Sequence, residues 1–185
     1  MASFLPIRSM NNMKLHQATH QDFEKVKNAY IDIINNTPNM EQHARWVYGK
    51  HPTDEIIQSY IEEQAMYFLE HDAEVAAVMA LTMSQGEDYH DIHWAIPCHD
   101  EEVAVVHILA VTPAFQKQGL GNKIIQEAIN LTKEKGKKAI RLDSMTSNTP
   151  AHHMYQKMGF QQRGQKEMYT ENTGWTEFYF FELVC

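Results

Sequence analysis

With 185 residues, 43% of them apolar and 22% charged, the chain has the material for one packed core and lacks the polar bias of a disordered segment. Its 24 acidic against 16 basic residues leave a formal net charge of -8 and no Lys/Arg-rich run, which removes DNA and RNA from the expected partners and favours cationic ligands such as amines. Two cysteines, Cys98 and Cys185, are too few for a disulfide framework or a four-ligand zinc site, and no apolar run reaches the ~18 residues of a membrane span, so a cytoplasmic protein without a membrane partner is expected.

Residues 1–12 read as a flexible extension, followed by a single domain over 13–185 that opens with a short strand from about Met13 to Ala18. Thr19 is an N-cap for a helix whose apolar positions, Phe23, Val26, Ala29/Tyr30 and Ile33/Ile34, recur at helical spacing. An irregular stretch over 37–52 leads to Thr53, a second N-cap, with Asp54 and Glu55 in the first turn and an Ile56, Ile57, Tyr60, Ile61 stripe. "AMYFLEHDAEVAAVMALTMS" predicts two strands around a turn at His71-Asp72. The polar run "QGEDYHDIHWAIPCHDEE" is expected to be a loop carrying a short strand near Ile92 to Ala95.

"VAVVHILAVT" is nearly all apolar and β-branched, as a central strand buried on both faces would be. After "PAFQKQGLG", Leu120, Ile124/Ile125, Ala128/Ile129 and Thr132 mark one face of a helix that Gly136 ends. "KAIRLDSMT" is the next strand, and a strand-helix-strand order requires the two strands to run parallel through a right-handed crossover. A short helix with Pro150 in its first turn and Gly159 at its end follows, then a hairpin from about Phe160 to Val184 turned at Asn172-Thr173-Gly174. The fold class is α/β with a mixed sheet.

Gly119 and Gly121 fall where a strand gives way to a helix. Helix N-termini carry unpaired N–H groups and about half a positive charge, so this position suits a pyrophosphate if the backbone can approach it. The spacing fits neither G-x-G-x-x-G nor a Walker loop, and tight helix packing is an equal explanation for the two glycines taken alone.

The longer pattern resembles the GNAT acetyltransferases. Their Q/R-x-x-G-x-G/A motif is matched by Gln116, Lys117, Gln118, Gly119, Leu120 and Gly121, and their "N…A…lYeklGF" element by Asn148, Ala151, Tyr155, Gly159 and Phe160. The resemblance is strong from about Val103 to Phe160. It implies a GNAT fold, a mixed and mostly antiparallel central sheet with helices on both faces, in which two parallel strands splay apart around the thioester. It further implies acetyl-CoA as donor substrate, with the pyrophosphate on the backbone from Gln116 to Asn122, the pantetheine arm along Leu109, Ala110 and Val111, and Asn148 and Tyr155 lining the donor side. Homodimerisation is a habit of that family.

N-acetyl transfer needs an uncharged amine, and freeing an alkylamine of pKa ~10.4 from its proton at neutral pH costs roughly 4–5 kcal/mol. His107 is a candidate base, and equally a satisfied core histidine. It matches the second histidine of the "HxHxLAV" strand of arylalkylamine acetyltransferases, whereas Val105 occupies the position of the first. Tyr155 matches the family's tyrosine near the thioester sulfur, as general acid. No metal is expected, and the His90-x-x-His93 spacing with Cys98, His99 and Asp100 reads as a solvated loop. The expected activity is direct transfer to a primary amine in a ternary complex, the acceptor being a small amine. A protein N-terminus or lysine as acceptor, or a CoA-binding sensor without turnover, are the alternatives.

Overall fold

The computed structural model describes residues 12–185, so the expected extension over 1–12 lies, apart from Asn12, outside the described residues. Seven strands form one sheet in the order β1-β2-β3-β4-β5-β7-β6: β1 Lys14–Gln17, β2 Met66–His71, β3 Glu74–Thr82, β4 Val103–Val111, β5 Ala139–Met145, β6 Gln161–Thr170 and β7 Gly174–Val184. All neighbours are antiparallel except β4 and β5. That parallel pair is joined by helix α4, Leu120–Glu134, the crossover expected between parallel strands.

Period-two alternation divides the strands between two cores. Ala77, Met79 and Leu81 of β3 pack with Leu120, Ile124, Ile125 and Ala128 of α4 on one face. Val78 and Ala80 pack on the other with α1, Phe23–Asn36, and α3, Asp54–Glu62, through Val26, Tyr30, Ile57 and Ile61. Thr53 caps α3 as its type suggests, its Oγ1 accepting from the Ile56 N–H at 3.2 Å. Helix α5, Thr149–Lys157, joins the α4 face, where Tyr155 packs on Phe160 and Phe181.

Four local expectations are corrected. No strand forms near Ile92 to Ala95; the segment lies over the sheet as irregular chain, anchored by the Ala95 N–H donating to Glu182 at 2.9 Å and by Trp94 stacked on the Arg141 guanidinium at 4.1 Å. The irregular stretch over 37–52 contains a one-turn helix, α2, Met40–His43. The β2–β3 turn falls on Asp72 and Ala73, both with positive φ (48° and 65°), a residue later than the composition indicates.

The fourth correction concerns β4. It is not covered on both sides along its length, because the register with β5 runs only from Val103↔Ala139 to Val106↔Leu142. Beyond that point the two strands part, and residues from His107 to Val111 are only partly buried. Opposite the parting, a β-bulge sets Ile108 and Leu109 against Met79 of β3, and Ile108 takes a φ of 42°. A β-branched residue rarely adopts that conformation. The Tyr30 hydroxyl helps to hold it by donating to the Ile108 carbonyl at 2.8 Å.

Candidate active site

The parting of β4 and β5 opens a cavity of about 560 Å³. Its floor comes from β4 and β5, its sides from α3, the 85–102 loop and α5, and its roof from residues around α2 and the β6–β7 turn. The roof is tied down at two points: Asn172 donates to the Arg45 carbonyl at 2.8 Å, and the Ser147 hydroxyl to the Gln42 carbonyl at 2.6 Å.

The bulge determines what β4 contributes. Ala104 and Val106 face α4, and so do Leu109 and Val111, with the extra residue absorbed between them. His107 and Ile108 therefore both turn toward α1 and α3. His107 stacks on Tyr60 of α3 (ring centroids 5.5 Å apart), and its Nε2 lies 3.1 Å from Thr82 Oγ1. Burial pushes its pKa down to about 4, with a further contribution from His51, so the imidazole is uncharged at neutral pH and weak as a proton acceptor.

Tyr155 is buried against the same cavity. Burial first, and then the Asp143 carboxylate, hold its phenol well above the ordinary tyrosine value. A neutral hydroxyl is thus available to donate a hydrogen bond to charge developing nearby. Asn148 precedes α5 and lines the cavity beside it, as does Leu109.

Ala110, Val111 and the glycine loop lie beyond the cavity, toward the end of β4 and the start of α4. There Gln116 has a role that its motif position does not reveal: its Nε2 donates to the Val111 carbonyl and to Thr37 Oγ1, both at 3.1 Å, and so joins β4 to the end of α1. Gln118 donates to the Ala114 carbonyl at 3.2 Å. Lys117 and Gly119 adopt positive φ (61° and 80°), and no side chain caps α4. The backbone N–H groups over 117–122 consequently have no acceptor among the described residues.

The two glycines serve different ends. A Cβ on Gly119 would meet nothing within 4 Å, which leaves the helix start open to an anion, and its positive φ favours glycine. On Gly121 a Cβ would come within 2.5 Å of Met154 Sδ, so this glycine leaves room for the Met154 side chain of α5 in its present position. Leu120 is buried beneath the helix and Asn122 is exposed on its first turn. The structure thus brings His107, Leu109, Asn148 and Tyr155 into one cavity and leaves the residues from Lys117 to Asn122 as a separate open N–H array, with the Gln116 N–H bonded to the Pro113 carbonyl.

Sequence reasoning passed over Asp143. It follows Leu142 on β5 at the parting of the strands, lines the cavity, and accepts a hydrogen bond from the Tyr89 hydroxyl at 2.6 Å. A signal was present in "AIRLDSM", where two charged residues alternate within an otherwise buried strand. Among nearby aromatic residues, Trp46 lines the cavity, whereas Tyr48 is exposed and hydrogen-bonded to Asp54 and Trp94 covers Arg141.

The acetyltransferase (GNAT) family model matches residues 29–160 of the chain. Among curated proteins, the uncharacterized N-acetyltransferase YesJ of Bacillus subtilis is 32% identical over 108 residues, 58% of this chain and 59% of the relative. The mycothiol acetyltransferase of Renibacterium salmoninarum is 28% identical over 99 residues, 51% of this chain and 29% of the relative. The matches therefore span less than two thirds of these relatives. Among solved structures, the ribosomal-protein-S18-alanine N-acetyltransferase of Escherichia coli has a TM-score of 0.66 at 16% identity, covering 93% of each chain. The yncA protein of Salmonella typhimurium, solved with its cofactor acetyl-CoA, has a TM-score of 0.68 at 17% identity, covering 94% of each chain. At such identities the likeness speaks for the fold.

Proposed function

The chain belongs to the acetyltransferase (GNAT) family, and from that premise we propose that it moves the acetyl group of acetyl-CoA directly to a primary amine, with a small amine as acceptor. The observation that carries this reading is the pairing of an open N–H array over 117–122 with a cavity at the parting of β4 and β5. The array suits the diphosphate of the donor, because unpaired N–H groups at a helix start favour an anion and Gly119 leaves room for one. The outer half of β4, Leu109 to Val111, has no strand beside it on the β5 side and suits the amide-bearing arm of the donor.

Tyr155 and Asn148 then flank the thioester. The Tyr155 phenol, raised by burial, is a weaker acid than a thiol of ordinary pKa ~8.5, so it acts chiefly by hydrogen bonding to the departing sulfur. His107 is the polar group of β4 at the cavity and acts there as an uncharged hydrogen-bonding group. The tied roof favours a small acceptor over a folded protein surface.

The test is release of free CoA across a panel of primary amines, with a short peptide bearing a free N-terminus as comparison. Tyr155→Phe should slow turnover about 100-fold, the size of a lost acid–base contribution, and leave thermal stability nearly unchanged because its hydroxyl has no partner among the described residues. Gly119→Glu should abolish acetyl-CoA binding in calorimetry. Unchanged donor affinity in that variant would reject the assignment of the loop.

A further inference from the structure

Just beyond the last parallel pair, Val106 with Leu142, each strand offers one titratable side chain to the cavity: His107 from β4 and Asp143 from β5. Asp143 lies on the face of β5 that also carries Arg141 and Met145, the face covered by the 85–102 loop. Its carboxylate has the Tyr89 hydroxyl as hydrogen-bond donor and forms no ion pair among the described residues. The cations in reach are engaged elsewhere. Arg141 is paired with Glu182 at 2.9 Å and Gln85 at 2.6 Å, and Lys166, on the cavity wall, with Asp91 at 3.1 Å.

A carboxylate drawn partly out of water without a cation is unfavourable, and the fold nevertheless places one, half-buried, on the floor of a cavity. A ligand that brings the opposite charge resolves the conflict. Resting on the acetyl-transfer reading above, we propose that Asp143, oriented by Tyr89, is the counter-ion for the acceptor's ammonium group and receives its proton as the nitrogen attacks. The acceptor class is a primary alkylammonium with an apolar or aromatic body, since Trp46, Tyr60 and Phe178 line the same cavity and aromatic faces also attract cations.

The titratable groups that line the cavity with the carboxylate are His43 of α2, His51 and Tyr60 on the α3 side, Tyr155 from α5, His107 from β4, Asp88 and Tyr89 from the loop, and Lys166, Glu167 and Tyr169 from β6. Burial raises the phenols of Tyr60, Tyr89 and Tyr155, and all three remain neutral. Burial also raises the Asp143 carboxyl, against the opposing pull of the Tyr89 hydrogen bond, and thereby strengthens it as a proton acceptor.

The transfer then balances. One ammonium proton moves to Asp143, and the freed nitrogen lone pair forms the C–N bond to the acetyl carbon. The C–S bond breaks with its electron pair on sulfur. A second proton from nitrogen reaches that sulfur by way of the Tyr155 hydroxyl, and Asp143 releases its own to solvent with the product.

Calorimetric titration with phenethylamine and hexylamine, each against the corresponding alcohol, reads the counter-ion without requiring turnover. The wild type should bind the ammonium of at least one pair 10-fold or more tightly than its alcohol. Asp143→Asn should lose that preference and Tyr89→Phe should weaken it, with acetyl-CoA affinity the same in all three proteins. CoA release should fall at least 100-fold in Asp143→Asn. Its melting temperature should rise, because the isosteric change removes an unpaired charge, so a lost preference cannot be ascribed to unfolding. The proposal is overturned if neither ammonium is preferred by the wild type, or if Asp143→Asn keeps the preference or the turnover. Failure of the acetyl-transfer reading has a different signature, absence of acetyl-CoA binding by the wild type.

Discussion

His107, held beside Thr82 and stacked on Tyr60, occupies a position where gaining a proton is penalised. Its pKa of about 4 in the fold, against an ordinary 6.5, couples stability to pH. Between those values the unfolded chain binds the proton and the fold does not, so this contribution is complete above pH 6.5 and is lost as pH falls toward 4. Replacement by glutamine removes the coupling. Relative to wild type, His107→Gln should gain about 2 kcal/mol of stability between pH 7 and pH 5, read from urea midpoints at the two values. A histidine inside an apolar strand was visible from "AVVHILAV", but its depressed basicity was not, because that depends on ring neighbours from α3 and β3. The glycine pair is a similar case. Its position at a helix start was legible, yet the different duties of Gly119 and Gly121 emerge only from what surrounds each backbone.

Most elements follow from patterns that repeat along the chain. The α1, α3 and α4 stripes have a 3.6-residue period, and β3 alternates between two cores, so their places were readable. The bulge in β4 was not. Ile108 adopts a positive φ without being glycine, and no local preference announces it; the β3 register and the Tyr30 hydroxyl impose it. The strand expected near Ile92 to Ala95 failed for the converse reason, since side-chain bonds from Glu182 and Arg141 hold that segment in place of a ladder. The roof is likewise a meeting of distant elements. Asn172→Ala removes its hydrogen bond to the Arg45 carbonyl, worth about 1 kcal/mol. In steady-state kinetics KM for a small amine should rise roughly 5-fold with kcat within about twofold, since a loosened roof weakens acceptor binding and leaves the thioester side intact.

Across the whole molecule, a buried ion pair fastens the loop layer to the sheet. Arg141 of β5 and Glu182 of β7, directly opposite in register and wholly buried, are paired at 2.9 Å, and Arg141 also donates to Gln85 and the Ile96 carbonyl. Glu182 in turn accepts from Arg163 and from the Ala95 N–H. Arg141→Met leaves a buried carboxylate with only part of its compensation, and urea unfolding should show a loss of about 3–5 kcal/mol. The double variant with Glu182→Leu should recover more than half of that loss, because the stranded charge is then gone and Arg163, partly exposed, can turn to solvent. No helix of the described residues is long and apolar enough to cross a membrane.

The α/β class, the parallel pair with its crossover helix, the family and the residues of its two motifs were legible along the chain, because they depend on periodicity, turn chemistry and short-range spacing. It takes the assembled fold to part β4 and β5 after Val106 and Leu142, to bring α2 and the β6–β7 turn together overhead, and to turn Asp143 to the cavity with Tyr89 as its hydrogen-bond donor. Those features join residues dozens of positions apart. The packing of whole elements fixes them, and no stretch of local sequence encodes which distant groups will share a wall.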